Sequence, residues 1–342
     1  MTRRNICSLL KIDYPLIQGG MAWVADAVLA AAVSNGGGLG LIAAGSMPPE
    51  LLRAEIGKAR QLTDRPFGVN IMLMSPHADA LAEVVREERV PVVTTGAGSP
   101  GKYIAAWKEA GIKVIPVIAS VAYAKRMENL GADAVVAEGT EAGGHIGELT
   151  TMVLVPQVVD AVTVPVIAAG GLADGRGVAA AFMLGASGVQ MGTRFLACCE
   201  CMVHENYKQM VLKARDIDTI VTGRSGGHPV RTLKNKLSRR LTEMEKQGAT
   251  FEELEEIAVG SLRRAVQDGN LDEGSFMAGQ CSGLVSQIQP AAAVIREIFR
   301  ETAALLGDRL PVAVPGLGYR PAETVPAQTL PTQSPQIAGG VR

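Results

Sequence analysis

The sequence predicts an α/β protein built on a (β/α)8 TIM barrel, with a smaller, mostly helical domain inserted towards the C-terminus. Short apolar, β-branched runs alternate with helix-length segments eight times in about the first 200 residues. Strands of this kind pair in parallel with both faces covered. Many of the runs stop at a glycine or a polar residue, which is where barrel enzymes hold their sites. After residue 201 the alternation ends. An open, doubly wound sheet is the alternative that the pattern leaves open.

The individual elements follow from the length and apolar spacing of each segment. Strands are predicted at residues 14–21, 38–43, 67–72, 90–95, 113–118, 133–138, 165–169 and 187–191. Helices are predicted between them at residues 24–34, 48–62, 78–87, 102–110, 120–130, 152–162 and 175–184.

The domain boundaries follow from the same change of rhythm. Residues 1–200 form the predicted barrel, and residues 201–309 form a helical cap, part of which returns to the barrel. The cap has a predicted strand at 215–223 and helices at 233–247, 251–267, 273–286 and 290–306. Residues 310–342 are rich in proline and lack periodicity, which is typical of a flexible tail.

The composition of the chain argues against two classes of protein: those that bind nucleic acid and those that span a membrane. The chain has 342 residues and a net charge of -1, which argues against a general nucleic-acid surface. Its apolar runs are shorter than the about 20 residues that a membrane-spanning helix needs. We therefore expect a protein of the cytoplasm that binds neither nucleic acid nor membrane.

The five cysteines do not indicate a disulfide framework, because their number is odd and their spacing irregular. Cys198, Cys199 and Cys201 lie together, but no second pair follows downstream, as a structural zinc site would require. We predict reduced thiols and no metal site.

A glycine-rich loop after the sixth predicted strand holds the candidate catalytic residue. His145 follows Gly143 and Gly144, and glycines allow the backbone to approach a ligand closely. Histidine can give or take a proton near neutral pH. A lone histidine is often only structural, but its place at a strand's C-terminal end favours a site.

The loops after the seventh and eighth strands form a candidate phosphate cradle. They contain Gly170 and Gly171 in one loop and Gly192 and Thr193 in the other. Barrel enzymes commonly bind phosphate there, through backbone N–H groups. The alternative is that these glycines only make the turns between strand and helix.

Other strand ends add groups that suit a planar heterocycle: Gly20, Met21, Asn70, Thr95 and Glu138. Together with a phosphate cradle they describe a mononucleotide across the barrel mouth. Flavin mononucleotide (FMN) fits best, because there is no strand-end lysine for pyridoxal chemistry and no Walker loop.

Seven segments carry a resemblance to a known family: QGGMAWVA (18–25), PFGVNIML (66–73), EAGGHIG (141–147), PVIAAGG (165–171), QMGTRF (190–195), KARDIDT (213–219) and MAGQ (277–280). The chain resembles the flavin-dependent enoyl-acyl-carrier-protein reductases of bacterial type II fatty-acid synthesis (FabK type), within the nitronate monooxygenase (2-nitropropane dioxygenase) superfamily. The likeness runs from about residue 5 to residue 306. Residues 146–151 and 206–235 look like the reductase branch, whereas 224–229 depart from it.

The resemblance implies a function. FMN would pass hydride from NADH or NADPH, through its N5 atom, to the β-carbon of a trans-2-enoyl thioester carried on acyl carrier protein. His145 would be the catalytic acid. Ala22, Gln190 and Met277 would join the cofactor-binding residues, and the protein would be a homodimer. The alternative within the superfamily is oxidation of alkyl nitronates with O2.

The most basic stretch, residues 231–240, has two interpretations. Acyl carrier proteins are acidic, so a basic patch beside the barrel mouth would steer them towards it. The alternatives are contacts with the phosphates of the nicotinamide cofactor and a simple solvated helix face.

Overall fold

The computed structural model describes residues 5–45 and 47–307, so the predicted tail at 310–342 lies outside the described residues. The strands are β1 (Leu16–Gln18), β2 (Gly40–Ala43), β3 (Phe67–Met72), β4 (Val92–Gly96), β5 (Lys113–Ile118), β6 (Val135–Glu138), β7 (Gly144–His145), β8 (Val166–Ala169), β9 (Gly188–Met191), β10 (Thr219–Thr222) and β11 (Val230–Leu233).

Eight of these strands form one parallel sheet in the order β1-β9-β8-β6-β5-β4-β3-β2. The two edges meet through a parallel bridge between Ile17 and Leu39. The backbone N–H of Gln18 donates to Leu39 O at 2.9 Å, and Leu39 N donates to Leu16 O at 2.9 Å. The sheet is therefore closed, which confirms the predicted (β/α)8 barrel over the open alternative.

The helices are α1 (Ile6–Leu10), α2 (Ala27–Asn35), α3 (Pro49–Leu62), α4 (Ala78–Glu87), α5 (Gly101–Glu109), α6 (Val121–Asn129), α7 (Thr151–Ala161), α8 (Gly175–Met183), α9 (Thr193–Leu196), α10 (Glu205–Lys213), α11 (Lys236–Lys246), α12 (Phe251–Ala258), α13 (Ser261–Arg263) and α14 (Ala291–Leu306). A turn of π-helix, Arg264–Asp268, follows α13. Helix α14 packs against both α8 and α2, so the chain returns from the cap to complete the ring of barrel helices. Among the described residues, no helix is long and apolar enough to cross a membrane.

The barrel interior is filled at its N-terminal end. Ile6 and Leu10 of α1 pack in one buried cluster with inward side chains of the strands, such as Leu41 and Ile115. Burial of this apolar surface stabilises the fold at about 25 cal/mol per Å². The C-terminal end of the barrel is consequently the end that is left for a ligand.

The cap contains a small sheet that the sequence pattern did not predict in full. Strands β10, β11 and β7 form it, in that order, with antiparallel pairing. The predicted strand at 215–223 is shorter in the structure, as β10. The predicted helix at 233–247 is present as α11, and the unpredicted strand β11 precedes it and ends at Leu233. Because β7 belongs to the loop that carries His145, this sheet joins the cap to the barrel mouth.

Two predicted cap helices are wrong in extent. The segment 251–267 is interrupted at Gly260, whose φ of 73° lies in the left-handed region that glycine tolerates. The segment 273–286 contains only a 3-10 helix, Gln280–Leu284. Residues 274–279 form neither helix nor strand, and Gly279 N donates to Thr193 Oγ1 of the barrel at 2.9 Å.

Candidate active site

A cavity of about 430 Å³ opens at the C-terminal mouth of the barrel, a size typical of small-molecule and cofactor sites. Residues at or just beyond the ends of all eight barrel strands line it, together with cap residues. Of the predicted site residues, fourteen line this cavity: Gly20, Met21, Ala22, Asn70, Glu138, Gly143, Gly144, His145, Gly170, Gly171, Gln190, Gly192, Thr193 and Met277. The structure therefore brings these dispersed positions to one place.

Thr95 is the predicted site residue that does not line the cavity. It is buried, and its Oγ1 has no hydrogen-bond partner among the described residues. Its neighbour Thr94 pairs with Asn70 across β4 and β3, and Asn70 Nδ2 donates to Thr94 Oγ1 at 2.9 Å. Since successive strand side chains point to opposite faces, Thr94 points into the barrel with Asn70, and Thr95 points away from its interior.

Glycine is sterically required at two points of the mouth. A Cβ on Gly20 would lie 2.3 Å from Asn70 Cγ. A Cβ on Gly170 would lie 2.7 Å from Gly139 O, and Gly170 has a φ of 93°. Any larger residue at these two positions would push loops of the mouth apart. The glycines thus set the shape of the cavity wall.

Several polar groups at the mouth are left free to bind a ligand. Within the described part of the chain, no hydrogen bond engages the backbone N–H groups of Gly171 and Gly192. Gln190 Oε1 is buried and has no hydrogen-bond partner there. Buried polar atoms without partners are uncommon in folded proteins. Two free N–H donors suit a phosphate, and an amide oxygen suits the edge of a heterocycle.

Glu138 ends β6 with its carboxyl group at the cavity. Burial raises the pKa of this carboxyl to about 7, since a low-dielectric environment disfavours the charged form. The group is therefore partly protonated at neutral pH. It can donate or accept a hydrogen bond towards a ligand.

His145 lies on the cap side of the cavity, in β7. This strand pairs with β11, where Val230 lies opposite His145, and Ile146 N donates to Pro229 O at 3.1 Å. Partial desolvation, and then the charge of His228, lower the pKa of His145. The imidazole is consequently neutral at pH 7, with one nitrogen that donates and one that accepts.

Two charged side chains hold the loop that precedes His145. The buried Arg231 of β11 donates to Thr140 O from Nε at 3.2 Å and from Nη2 at 3.0 Å, and its Nη1 donates to Thr219 Oγ1 at 3.0 Å. The Glu141 carboxylate accepts from Thr151 N at the start of α7, at 3.0 Å. Neither residue was a predicted site residue, since each acts on the backbone of a segment distant in sequence.

Sequence reasoning also missed cavity residues contributed by the cap. Tyr207 of α10 lines the cavity, and its hydroxyl donates to Met277 O at 2.7 Å. Cys281 lines the cavity as well, and burial raises the pKa of its thiol to about 11. Neither residue belongs to a recognisable sequence motif, and a tyrosine or a cysteine next to apolar residues is expected in the hydrophobic core. Among the described residues, no group of three or more His, Cys, Asp or Glu side chains could hold a metal ion.

Comparisons with known proteins agree with this geometry. FabK from Thermotoga maritima has a solved structure that is 54% identical, with a TM-score of 0.87, covering 89% of this chain and 97% of that one. A probable nitronate monooxygenase of Staphylococcus saprophyticus is 33% identical over 349 residues, which span 88% of this chain and 98% of the relative.

A third relative has another substrate in its name. The (3aS,4S,5R,7aS)-5-hydroxy-7a-methyl-1-oxo-octahydro-1H-indene-4-carboxyl-CoA dehydrogenase of Mycobacterium tuberculosis is 35% identical over 336 residues, which span 86% of this chain and 95% of the relative. The family model described as nitronate monooxygenase matches residues 3–83 and 77–301. With a closed barrel, a cavity at its mouth and this match over most of its length, the chain belongs to the nitronate monooxygenase family of oxidoreductases.

Proposed function

We propose that this protein is an FMN-dependent reductase of enoyl thioesters, acting on acyl-carrier-protein substrates with NADH or NADPH as the reductant. The observation that carries the proposal is the 54% identity to FabK from Thermotoga maritima over 89% of the chain. The relatives described as nitronate monooxygenases are more distant, at 33% identity. The cavity is compatible with the same reaction, because His145 faces the mouth from the cap side.

The residues at the mouth fit FMN. The free N–H groups of Gly171 and Gly192 would hold its phosphate, with the Thr193 hydroxyl beside them. The unpartnered Gln190 Oε1 and the Asn70 amide would hydrogen-bond polar groups of the ring. When bound, FMN supplies hydride transfer between the nicotinamide and the substrate double bond.

The role of the chain's own residues follows from their placement. The neutral His145 imidazole would donate its N–H in a hydrogen bond to the thioester oxygen as negative charge builds there. It would then take a proton from solvent and pass a proton to the α-carbon, so that the imidazole ends the step neutral. A positioned acid of this kind contributes about 10²–10⁴-fold to the rate. Met277, Leu262 and Ile146 give the cavity an apolar lining on the cap side, which excludes water and strengthens that hydrogen bond.

One anaerobic experiment tests the proposal. The purified protein is mixed with NADH or NADPH, the flavin absorbance is followed, and crotonyl-CoA is then added. We expect rapid bleaching by the nucleotide and return of the absorbance on addition of the enoyl thioester. A flavin that bleaches but is not reoxidised by the thioester would contradict enoyl reduction. A protein with no flavin would contradict the cofactor assignment.

A second candidate, oxidation of alkyl nitronates with O2, is favoured by two observations. The lowered pKa of His145 keeps its imidazole unprotonated at neutral pH, so that one nitrogen can accept a proton, and several curated relatives are described as probable nitronate monooxygenases. Oxygen uptake with an alkyl nitronate, in the absence of nicotinamide nucleotide, distinguishes this reaction from enoyl reduction.

The acyl carrier protein as partner, a homodimeric state and a place in the cytoplasm belong to the same proposal. Turnover with acyl-carrier-protein and CoA thioesters, compared side by side, measures the first. Sedimentation of the flavin-loaded protein measures the second.

A further inference from the structure

The turn between β10 and β11, residues 223–229, lies beside the loop that carries His145. We call it the hairpin turn. Its last residue, Pro229, accepts a hydrogen bond from Ile146 N at 3.1 Å, and Ile146 lines the cavity. The opposite end of the turn carries Arg224, whose Nη1 lies 2.6 Å from Glu148 Oε1 in the loop that follows His145. Arg224 is therefore beside the loop in which Ile146 and Gly147 line the cavity, a position that we call the rim.

The Arg224–Glu148 ion pair is weak enough for a phosphate to replace the Glu148 carboxylate as the partner of Arg224. The two side chains are 49% and 72% exposed, and exposed ion pairs contribute about 0–1 kcal/mol. Arginine binds phosphate through two parallel, charge-assisted hydrogen bonds, and a phosphate monoester carries more charge than a carboxylate. A phosphate that reaches the rim would displace Glu148.

The surroundings of Arg224 favour a second anion. The buried Arg231 lies close enough that the Arg224 charge contributes to lowering its pKa, so the two cations share one region. The charge of His228, in the same turn, contributes to lowering the pKa of His145, so the turn lies close to the loop that carries His145. The charged groups that oppose a phosphate are Glu148 and also Glu245, which accepts from Ser225 Oγ at 3.0 Å. The half-buried Glu141 carboxylate partly offsets the lowering of the Arg231 pKa, and it accepts a hydrogen bond from Thr151 N.

One reductant of the proposed reaction and the thioester used to assay it offer a matching group. NADPH carries a phosphate monoester on the 2′ position of its adenosine. Coenzyme A, which takes the place of the acyl carrier protein in the assay thioester, carries one on the 3′ position. NADH has neither. Both phosphates lie on an adenosine that extends away from the reacting atoms, which suits a contact at the rim instead of the cavity floor.

We propose that Arg224 binds the adenosine phosphate monoester of an incoming substrate, exchanging Glu148 for the phosphate. The proposal rests on the function proposed above, in that this function names the ligands. It assigns Arg224 as a specificity-determining residue outside the catalytic machinery. It also assigns Glu148 as the group that holds the guanidinium until the phosphate arrives.

The test measures binding directly, in the flavin-loaded protein, by calorimetric titration at low ionic strength. The probes are adenosine 2′,5′-bisphosphate, adenosine 3′,5′-bisphosphate and adenosine 5′-monophosphate. We expect one bisphosphate to bind more tightly than the monophosphate. Arg224→Gln should weaken that bisphosphate by about tenfold or more, as expected for a lost hydrogen bond to a charged group. Glu148→Gln should tighten it by about threefold, because the competing carboxylate is gone.

The proposal therefore predicts opposite effects of the two substitutions on bisphosphate binding: Arg224→Gln weakens it and Glu148→Gln tightens it. Arg215→Gln is the matched control, since Arg215 is another exposed cap arginine in an ion pair, with Asp218, and it should change nothing. Preference for the 2′ compound identifies NADPH as the source of the phosphate, and preference for the 3′ compound identifies a CoA thioester. Equal binding of all three probes would overturn the proposal. So would an Arg224→Gln effect that is equal for all three.

The outcome is separable from that of the proposed function. Flavin reduction by NADH and reoxidation by crotonyl-CoA are measured on the same preparations. If the thioester fails to reoxidise the flavin, enoyl reduction is wrong, and the bisphosphate titrations still decide whether Arg224 binds phosphate.

Discussion

The two walls of the cavity are made in different ways. The barrel wall is built from backbone: glycines at strand ends, free N–H groups and close approaches such as that of Gly20 to Asn70. The cap wall is built from side chains that reach across from distant segments, such as Arg231 to Thr140 O and Arg224 to Glu148. In the barrel wall, most substitutions would cause steric overlap. In the cap wall, a single side-chain contact can be replaced without changing the others.

This difference suits the two walls to different ligands. A wall of backbone and glycine suits a resident cofactor, whose shape does not vary. A wall of side chains suits substrates that arrive and leave, because weak exposed contacts can be replaced at little cost in free energy. Substitutions in the barrel wall should therefore affect cofactor content, and those in the cap wall should affect turnover and specificity.

The largest effect is expected from Gly170→Ala. The added Cβ meets Gly139 O at 2.7 Å, and the residue has a φ of 93°, so steric overlap and backbone strain of about 1–3 kcal/mol combine. We expect the protein to lose its flavin, as measured by the ratio of flavin to protein absorbance. The matched control is Gly96→Ala, which also lines the cavity but meets no atom within 4 Å. Flavin loss in both variants, or in neither, would contradict the backbone account.

His145→Ala should lower enoyl turnover by about 10²-fold while flavin binding and reduction by NADH persist, as expected when a positioned acid is removed. Because the pKa of His145 is lowered, turnover that depends on the neutral imidazole should be constant at and above neutral pH and fall in acid. Stopped-flow absorbance and a pH–rate profile measure both. Turnover within a few-fold of the parent would make His145 structural.

Glu138 should make the free energy of unfolding depend on pH. Its folded-state pKa is raised to about 7, so the folded state retains a proton that the unfolded state releases at lower pH. The stability it contributes is present in acid and is lost as pH rises through about 7, by roughly 2 kcal/mol between pH 5 and pH 8. Thermal unfolding of flavin-free protein should show this slope, and Glu138→Gln should remove it. Parallel pH curves for parent and variant would contradict the raised pKa.

Arg231→Met should lower turnover by about tenfold with little flavin loss, because Thr140 O loses its donors and the loop that precedes His145 loosens. Arg231→Lys should restore part of the activity, since an ammonium can replace one of the hydrogen bonds. The measurement is kcat at saturating substrate beside flavin content. If lysine rescues nothing and flavin is lost, the residue supports the fold and does not position the loop.

The smallest effect is expected on the surface of α11. The basic stretch 231–240 is divided in the structure: Arg231 is buried in β11, Lys234 Nζ donates to Ile217 O at 2.5 Å, and Lys236 pairs with Asp272 at 2.7 Å. Reversing the charge of the exposed Arg239 and Arg240 should raise the KM for an acyl-carrier-protein substrate a few-fold at low salt only, by loss of steering.

Two comparisons decide that experiment. The KM for a CoA thioester and that for NADH or NADPH should be unchanged by the Arg239 and Arg240 reversals. The matched control reverses Lys125 and Arg126 of α6, on the outer ring of the barrel, and should alter none of the three. An unchanged KM for the carrier substrate would leave the patch as solvated surface.

Much of the barrel could be read from local pattern. The limits of α4 and β5 coincide with those predicted, and every other barrel strand lies inside or within one residue of its predicted range. A buried parallel strand must be a short apolar run, and the helix after it must be amphipathic, so each signal is contained in a few adjacent residues. The same local logic placed the glycines and His145 at strand ends.

The cap sheet could not be read in this way. Strand β7 has two residues, and its partner β11 lies some 85 positions further along the chain, where Arg231 pairs with Gly144. Nothing within either segment marks it as a strand for the other. The orientation of Thr94 and Thr95 could not be read for a related reason, because a strand buried on both faces has no polar alternation to show which residue points inward.

The sequence alone predicted eight parallel strands and the collection of glycines, amides and one histidine at their ends, because these depend on periodicity and on the rule that parallel strands end together. The closure of the sheet, by contrast, follows from the bridge between Ile17 and Leu39. The contacts made from the cap depend on tertiary structure: those of Tyr207 with Met277, Arg231 with Thr140, and Arg224 with Glu148. Those contacts join segments that are far apart in the chain, so they exist only once both segments have been placed on the barrel.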